Sequence, residues 1–169
     1  TIWEWWISSF DESERSRARR MVRYLKMWAA LAFDAKTESP PSSILLTVLV
    51  AYAYAEIDLA KLDGDDELLD ALVKQICETL SQQGAEWVSN PVDPGENLNR
   101  LGEGFELFKT RLAQLAHVCD RALKADDLAS AAEIWAEKFE HFFPLPEADD
   151  LQKSAERERR ELVLAFVQD

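Results

Sequence analysis

The chain has only two cysteines, two histidines, five glycines and six prolines among its 169 residues. Each scarcity excludes something. Cys77 and Cys119 lie in separate helical segments and show neither CxxC nor Cys-His spacing, so neither a disulfide framework nor a zinc site is expected. A reduced, cytoplasmic chain with two small buried thiols is the expectation. His117, between Ala116 and Val118, and His141 have no neighbours that complete a metal motif, and His117 is expected to be satisfied or half-buried. Gly-x-Ser-x-Gly is missing, as is a phosphate-binding P-loop, which removes two large enzyme classes. The longest apolar run, Ile44 to Ala55, is about 12 residues against the roughly 20 needed to cross a bilayer. No membrane segment or signal peptide is expected, and that run should be a central core helix.

Positive charge is also short, since the net charge is −13. Duplex nucleic acid and acidic membranes are therefore repelled by the surface as a whole. The shortage is uneven. Residues 1–36 carry seven basic and five acidic side chains, so any polyanion should meet the chain there. A small phosphorylated ligand suits that patch better than a duplex.

With 47% hydrophobic residues and few helix breakers, the chain reads as one all-α domain, a compact multi-helix bundle of about five to seven helices. Helices are expected from about Glu12 to Phe33, Ser42 or Ser43 to Leu62, Asp66 to Gln83, Leu101 to Lys124 and Asp127 to Phe142. A last one should cover 147–169. Residues 87–99 lack helical periodicity and should form an ordered loop anchored by Trp87 and Val92. Trp3, Trp5, Trp6 and Phe10 need a surface to cover, either this chain's own core or a partner domain. Because the chain starts without Met, processing or a missing preceding segment is expected.

The informative chemistry lies between Arg19 and Leu49. On a helix Arg19, Arg23 and Lys26 stack on one face, while Val22, Leu25, Trp28 and Ala29 lie on another. Pro40-Pro41 then blocks helix until Ser42-Ser43, where hydroxyls and free N–H groups open the next one. Three cations beside such a helix start make a phosphate site the leading expectation. Arg15, Arg17 and Arg20 are expected to pair with the chain's own carboxylates on a solvated face, an alternative also open to Arg19 and Arg23. Lys26 is expected to lie deeper, between Leu25 and Trp28. Asp63-Gly64-Asp65-Asp66 looks briefly like a calcium loop, but Lys74 stands where the closing Glu belongs, so a solvated helix-start turn is expected.

Four segments then occur in order: Tyr24-Leu25-Lys26-Met27-Trp28, Pro41-Ser42-Ser43-Ile44-Leu45-Leu46, Asn90-Pro91-Val92-Asp93-Pro94-Gly95-Glu96-Asn97-Leu98, and Ala132-x-x-Trp135-x-x-x-Phe139-x-x-x-Phe143-Pro144. Together they resemble the helical C-terminal half of bacterial nucleotidyltransferases of the cyclic GMP–AMP synthase and oligoadenylate synthase type. The resemblance covers roughly residues 15–146. It implies an enzyme that joins nucleoside triphosphates into cyclic or linear oligonucleotide signals in antiphage defence. It further implies that residues 1–146 are the nucleotide-binding half, with Lys26 on the donor triphosphate, Ser43 or else Ser42 beside it, and Arg23 as a weaker contact. The metal carboxylates for Mg2+ would belong to the catalytic half, and 1–10 would pack on that half.

Gly-Ser followed by Asp-x-Asp is missing here, so no catalytic or metal-ligating residue is assigned and these residues alone should not form phosphodiester bonds. The resemblance thus implies a fragment whose partner is its own catalytic half or a separately encoded core. A second reading is a non-catalytic helical module that binds a protein partner. Which nucleotides are joined, the ring size and the linkage are not legible.

Overall fold

The computed structural model describes residues 1–140, and the expected helix over 147–169, together with His141, Phe143 and Pro144, lies outside them. Among the described residues there are six α-helices: α1 (Ile2–Ser8), α2 (Glu12–Ala32), α3 (Ser43–Glu56), α4 (Asp65–Ser81), α5 (Phe105–Leu123) and α6 (Leu128–Phe139). Strands β1 (Ser89–Asn90) and β2 (Asp93–Asn97) form one small antiparallel pair. The mostly α reading holds. None of the described helices is long and apolar enough to cross a membrane.

Each long helix forms around an apolar stripe. In α2 the stripe is Met21, Leu25 and Trp28, all nearly solvent-free, and it packs on α3 and α6. Helix α5 lies between α4 and α6, presenting Phe108, Leu112 and Leu115 at helical spacing. Trp28 and Phe108 join the two halves of this core, with ring centroids 6.4 Å apart.

Local chemistry sets the ends. Ser42 caps α3, its hydroxyl accepting the Leu45 N–H at 3.2 Å, and Asp127 caps α6 by accepting the Ser130 N–H at 2.7 Å. Helix α3 stops at Glu56, not Leu62, because Asp58 accepts the Ala60 N–H and starts a separate 3-10 turn over Leu59–Lys61. Gly84, at φ +83, makes the turn after α4 that an L side chain would strain.

Several expectations are corrected. Residues 89–97 pair as a hairpin, where Asn97 accepts the Val88 N–H at 2.9 Å and donates to the Glu86 carbonyl. Its anchors are the buried Val88 and Leu98, whereas Trp87 and Val92 are about half exposed. Within α3, Ile44 and Tyr52 are exposed, so that helix is not buried on those sides. His117 is exposed, Cys77 is half-buried and only Cys119 is fully buried, with burial pushing its thiol far up.

The turn at Asp63–Asp66 is a helix start but not a solvated one. Asp65 is 3% exposed, because Arg20 grips it with Nε at 2.6 Å and Nη2 at 3.0 Å. Arg17 donates to the Leu62 and Gly64 carbonyls at 2.6 and 3.2 Å and lies 3.7 Å from Asp65. A buried carboxylate needs this pairing, and here it ties α2 to α4. Arg15 bonds the Ile7 carbonyl at 3.0 Å instead of a carboxylate, fixing the approach of α1 to α2.

The aromatic start folds as α1, closed by a capping box in which Thr1 and Glu4 exchange hydrogen bonds. Trp6 and Phe10 are buried in this chain's own core, rings 4.5 Å apart. Trp3 stays 56% exposed.

Candidate functional site

Helices α1, α2 and the start of α3 line an open pocket of about 610 Å³. Its floor is Trp6 and Val22, and Ile2, Trp3, Ile44 and Thr47 form its sides. Arg19, Arg23, Lys26 and Ser43 supply its polar groups. The helical period of α2 explains the row of cations, since residues four and then three apart fall on the same side. Pro40-Pro41 and the Ser42 cap explain why a helix start faces them.

The electrostatics separate this face from the rest of α2. No carboxylate among the described residues lies within ion-pair distance of Arg19, Arg23 or Lys26, and all three are exposed. Lys26 is therefore not sunk in the apolar stretch, because its position falls on the solvent side of α2 while Leu25 and Trp28 point inward. Arg19 instead lies over the Trp3 ring, 5.3 Å from the centroid.

The adjacent serines take different tasks. Ser42 Oγ is engaged as the cap, and its residue borders a second hollow of about 390 Å³ near the hairpin. Ser43 lines the basic pocket, and its hydroxyl has no hydrogen-bond partner among the described residues. Its carbonyl accepts the Thr47 hydroxyl at 2.7 Å. The structure thus brings Arg23, Lys26 and Ser43 together and leaves Ser42 apart.

The loop from Phe33 to Ser42 that places the serines is pinned from across the bundle. Arg111 of α5 donates to Glu38 through both terminal nitrogens, reaches the Ala32 carbonyl at 2.6 Å and covers the Phe33 ring. That guanidinium holds the Glu38 carboxyl down to about 2, the Asp34 backbone N–H contributing next. Sequence reasoning missed Arg111 because its partner stands 73 residues away. It also missed Trp3 as a pocket wall, although the Thr1 and Glu4 capping signature was readable.

The second hollow shares Ile2 and Ile44 with the first and is bordered by Asn90, Glu96 and Arg100. Its polar groups are occupied with one another, Asn90 Nδ2 donating to Glu96 at 2.6 Å and Arg100 bridging the same carboxylate. Among the described residues no three His, Cys, Asp or Glu side chains converge as a metal ion would need, so they offer no fit for the magnesium that the resemblance implies.

An anion fits the basic pocket by charge, by hydroxyl and by helix start. Over 142 residues the chain is 28% identical to cyclic GMP-AMP synthase of Escherichia albertii, a match that covers 82% of this chain and 30% of that protein. The chain is similar to that synthase, and the match takes in about a third of its length. No family model matches the chain, and no solved structure does.

Proposed function

We propose that this chain is the part of a nucleotidyltransferase that holds a nucleoside triphosphate by its phosphates. Lys26 is a compact donor for phosphate oxygens, Ser43 offers a hydroxyl beside free helix-start N–H groups, and Arg23 adds charge at the rim. The product class is a cyclic or linear oligonucleotide signal, with antiphage defence as its setting. Another part of the enzyme, or a separately encoded core, would supply the carboxylates that hold Mg2+, and that ion would contribute Lewis-acid chemistry to the phosphoryl transfer. The residues described here bind and orient the triphosphate.

One observation carries the reading: three cations and a serine hydroxyl, all without carboxylate or hydrogen-bond partners among the described residues, converge on one pocket. Titration of the chain with ATP, GTP and inorganic tripolyphosphate tests it. Binding of all three that weakens in Lys26→Ala is expected; binding that ignores Lys26 sinks the reading. A helical module that docks a protein partner is favoured by Trp87 and Val92, both exposed beside the hairpin. Indifference of all three probes to Lys26 would leave that second reading in place.

A further inference from the structure

Phosphate alone does not account for the basic pocket. Beyond its cations and hydroxyl it presents Ile2, Trp3, Val22 and Ile44, an apolar wall that a bare phosphate cannot cover. A ligand that uses the whole pocket carries both an anionic and a flat apolar part.

Trp3 is built to receive the flat part. Its helix is held by Trp6, one turn on, which is 3% exposed, and by the buried Phe10. The Arg15 bond to the Ile7 carbonyl fixes the other end of that helix. Arg19 lies on the indole face at 5.3 Å and steadies the ring, yet Trp3 remains 56% exposed. A large indole kept open at the edge of a cationic pocket, on a helix otherwise locked into the core, is poised for stacking.

We infer that the Trp3 indole stacks the nucleobase of the nucleotide whose phosphates lie on Arg23, Lys26 and Ser43. This rests on the phosphate reading of the same pocket. Every base has a π-face, so the stack adds affinity without choosing the base. Arg19 acts as a positioning residue through the ring.

Calorimetric titration of the chain with ATP, GTP and inorganic tripolyphosphate, at one fixed salt concentration, tests the stack in Trp3→Ala, Trp3→Phe and Lys26→Ala. Trp3→Ala should weaken ATP and GTP alike, by about 5- to 150-fold, and leave tripolyphosphate as in the parent chain. Trp3→Phe, which keeps a ring, should restore most of the nucleotide affinity. Circular dichroism checks that each variant is folded. Unchanged nucleotide affinity in Trp3→Ala, or a proportional loss of tripolyphosphate, overturns the stacking while Lys26-dependent tripolyphosphate binding still upholds the phosphate site. If tripolyphosphate fails to bind, or binds independently of Lys26, both inferences fall together.

Discussion

Helix α2 carries the same residue type on two faces with opposite outcomes. Arg17 and Arg20 turn toward α4, are half-buried, and converge on Asp65, which is almost solvent-free. Arg19, Arg23 and Lys26 face the pocket and have no carboxylate partner among the described residues. The difference teaches where charge is spent on the fold and where it is left over. A cation drawn into the interior requires a counter-charge, whereas an exposed one in water does not. In a chain this acidic, three neighbouring cations without a carboxylate partner among the described residues are a property of the site, not of the supply.

Removing Asp65 should break the comparison hardest. Asp65→Ala leaves two arginines without their counter-charge, and a loss of about 3–5 kcal/mol is expected from breaking a buried pair on one side. Urea unfolding followed by circular dichroism measures it, and a loss as small as that of a surface substitution would erase the contrast between the faces. Lys26→Ala is the opposite case. Its stability should stay within about 0.5 kcal/mol of the parent, while tripolyphosphate binding weakens by about 1.5–3 kcal/mol, the worth of a charged hydrogen bond.

The two serines sharpen the same division at smaller scale. Ser42→Ala should cost about 1 kcal/mol of stability as a lost cap. Ser43→Ala should leave the unfolding midpoint nearly unchanged and lower anion affinity instead. Equal behaviour of the two in both assays would show that the helix start does not separate folding from binding.

The smallest effect concerns a cation that is paired near the surface. Glu38 titrates below its ordinary 4.5, at about 2, because of Arg111. The pair therefore contributes stability that is complete above the ordinary value and is lost as pH falls from there toward about 2. Glu38→Gln should flatten the difference in melting temperature between neutral and acid pH. A variant whose acid profile overlays the parent's would remove the pair from the account.

Much of this was readable in the residues, and the unread part has a common cause. Helical periodicity placed Arg19, Arg23 and Lys26 on one face and put Pro40-Pro41 before a serine cap, because both depend on neighbours within one turn. Which arginines would be paired was not readable, since Asp65 lies 45 residues from Arg20. The hairpin at 89–97 was hidden by Pro94 and Gly95, residues that weaken a strand signal, and is held by Asn97 bonding to 86 and 88. Helix α3 ended early because Asp58 competes for the backbone, a local preference outweighed on paper by the apolar run before it. Trp3 and Trp6 look alike in sequence, and only the packing of α1 on the core buries one as the pocket floor and leaves the other exposed at its side.

The row on α2, without carboxylate partners among the described residues, belongs to a molecule whose net charge is −13, and that mismatch has a kinetic side. From a distance an approaching anion meets repulsion, and only at close range does it meet attraction. Mobile ions screen charges more than about 8 Å apart at physiological ionic strength. Salt therefore lowers the outer barrier and screens the exposed cations of the pocket as well. For any anion that uses this pocket, whose cations are themselves exposed, salt eases the approach and loosens the hold together.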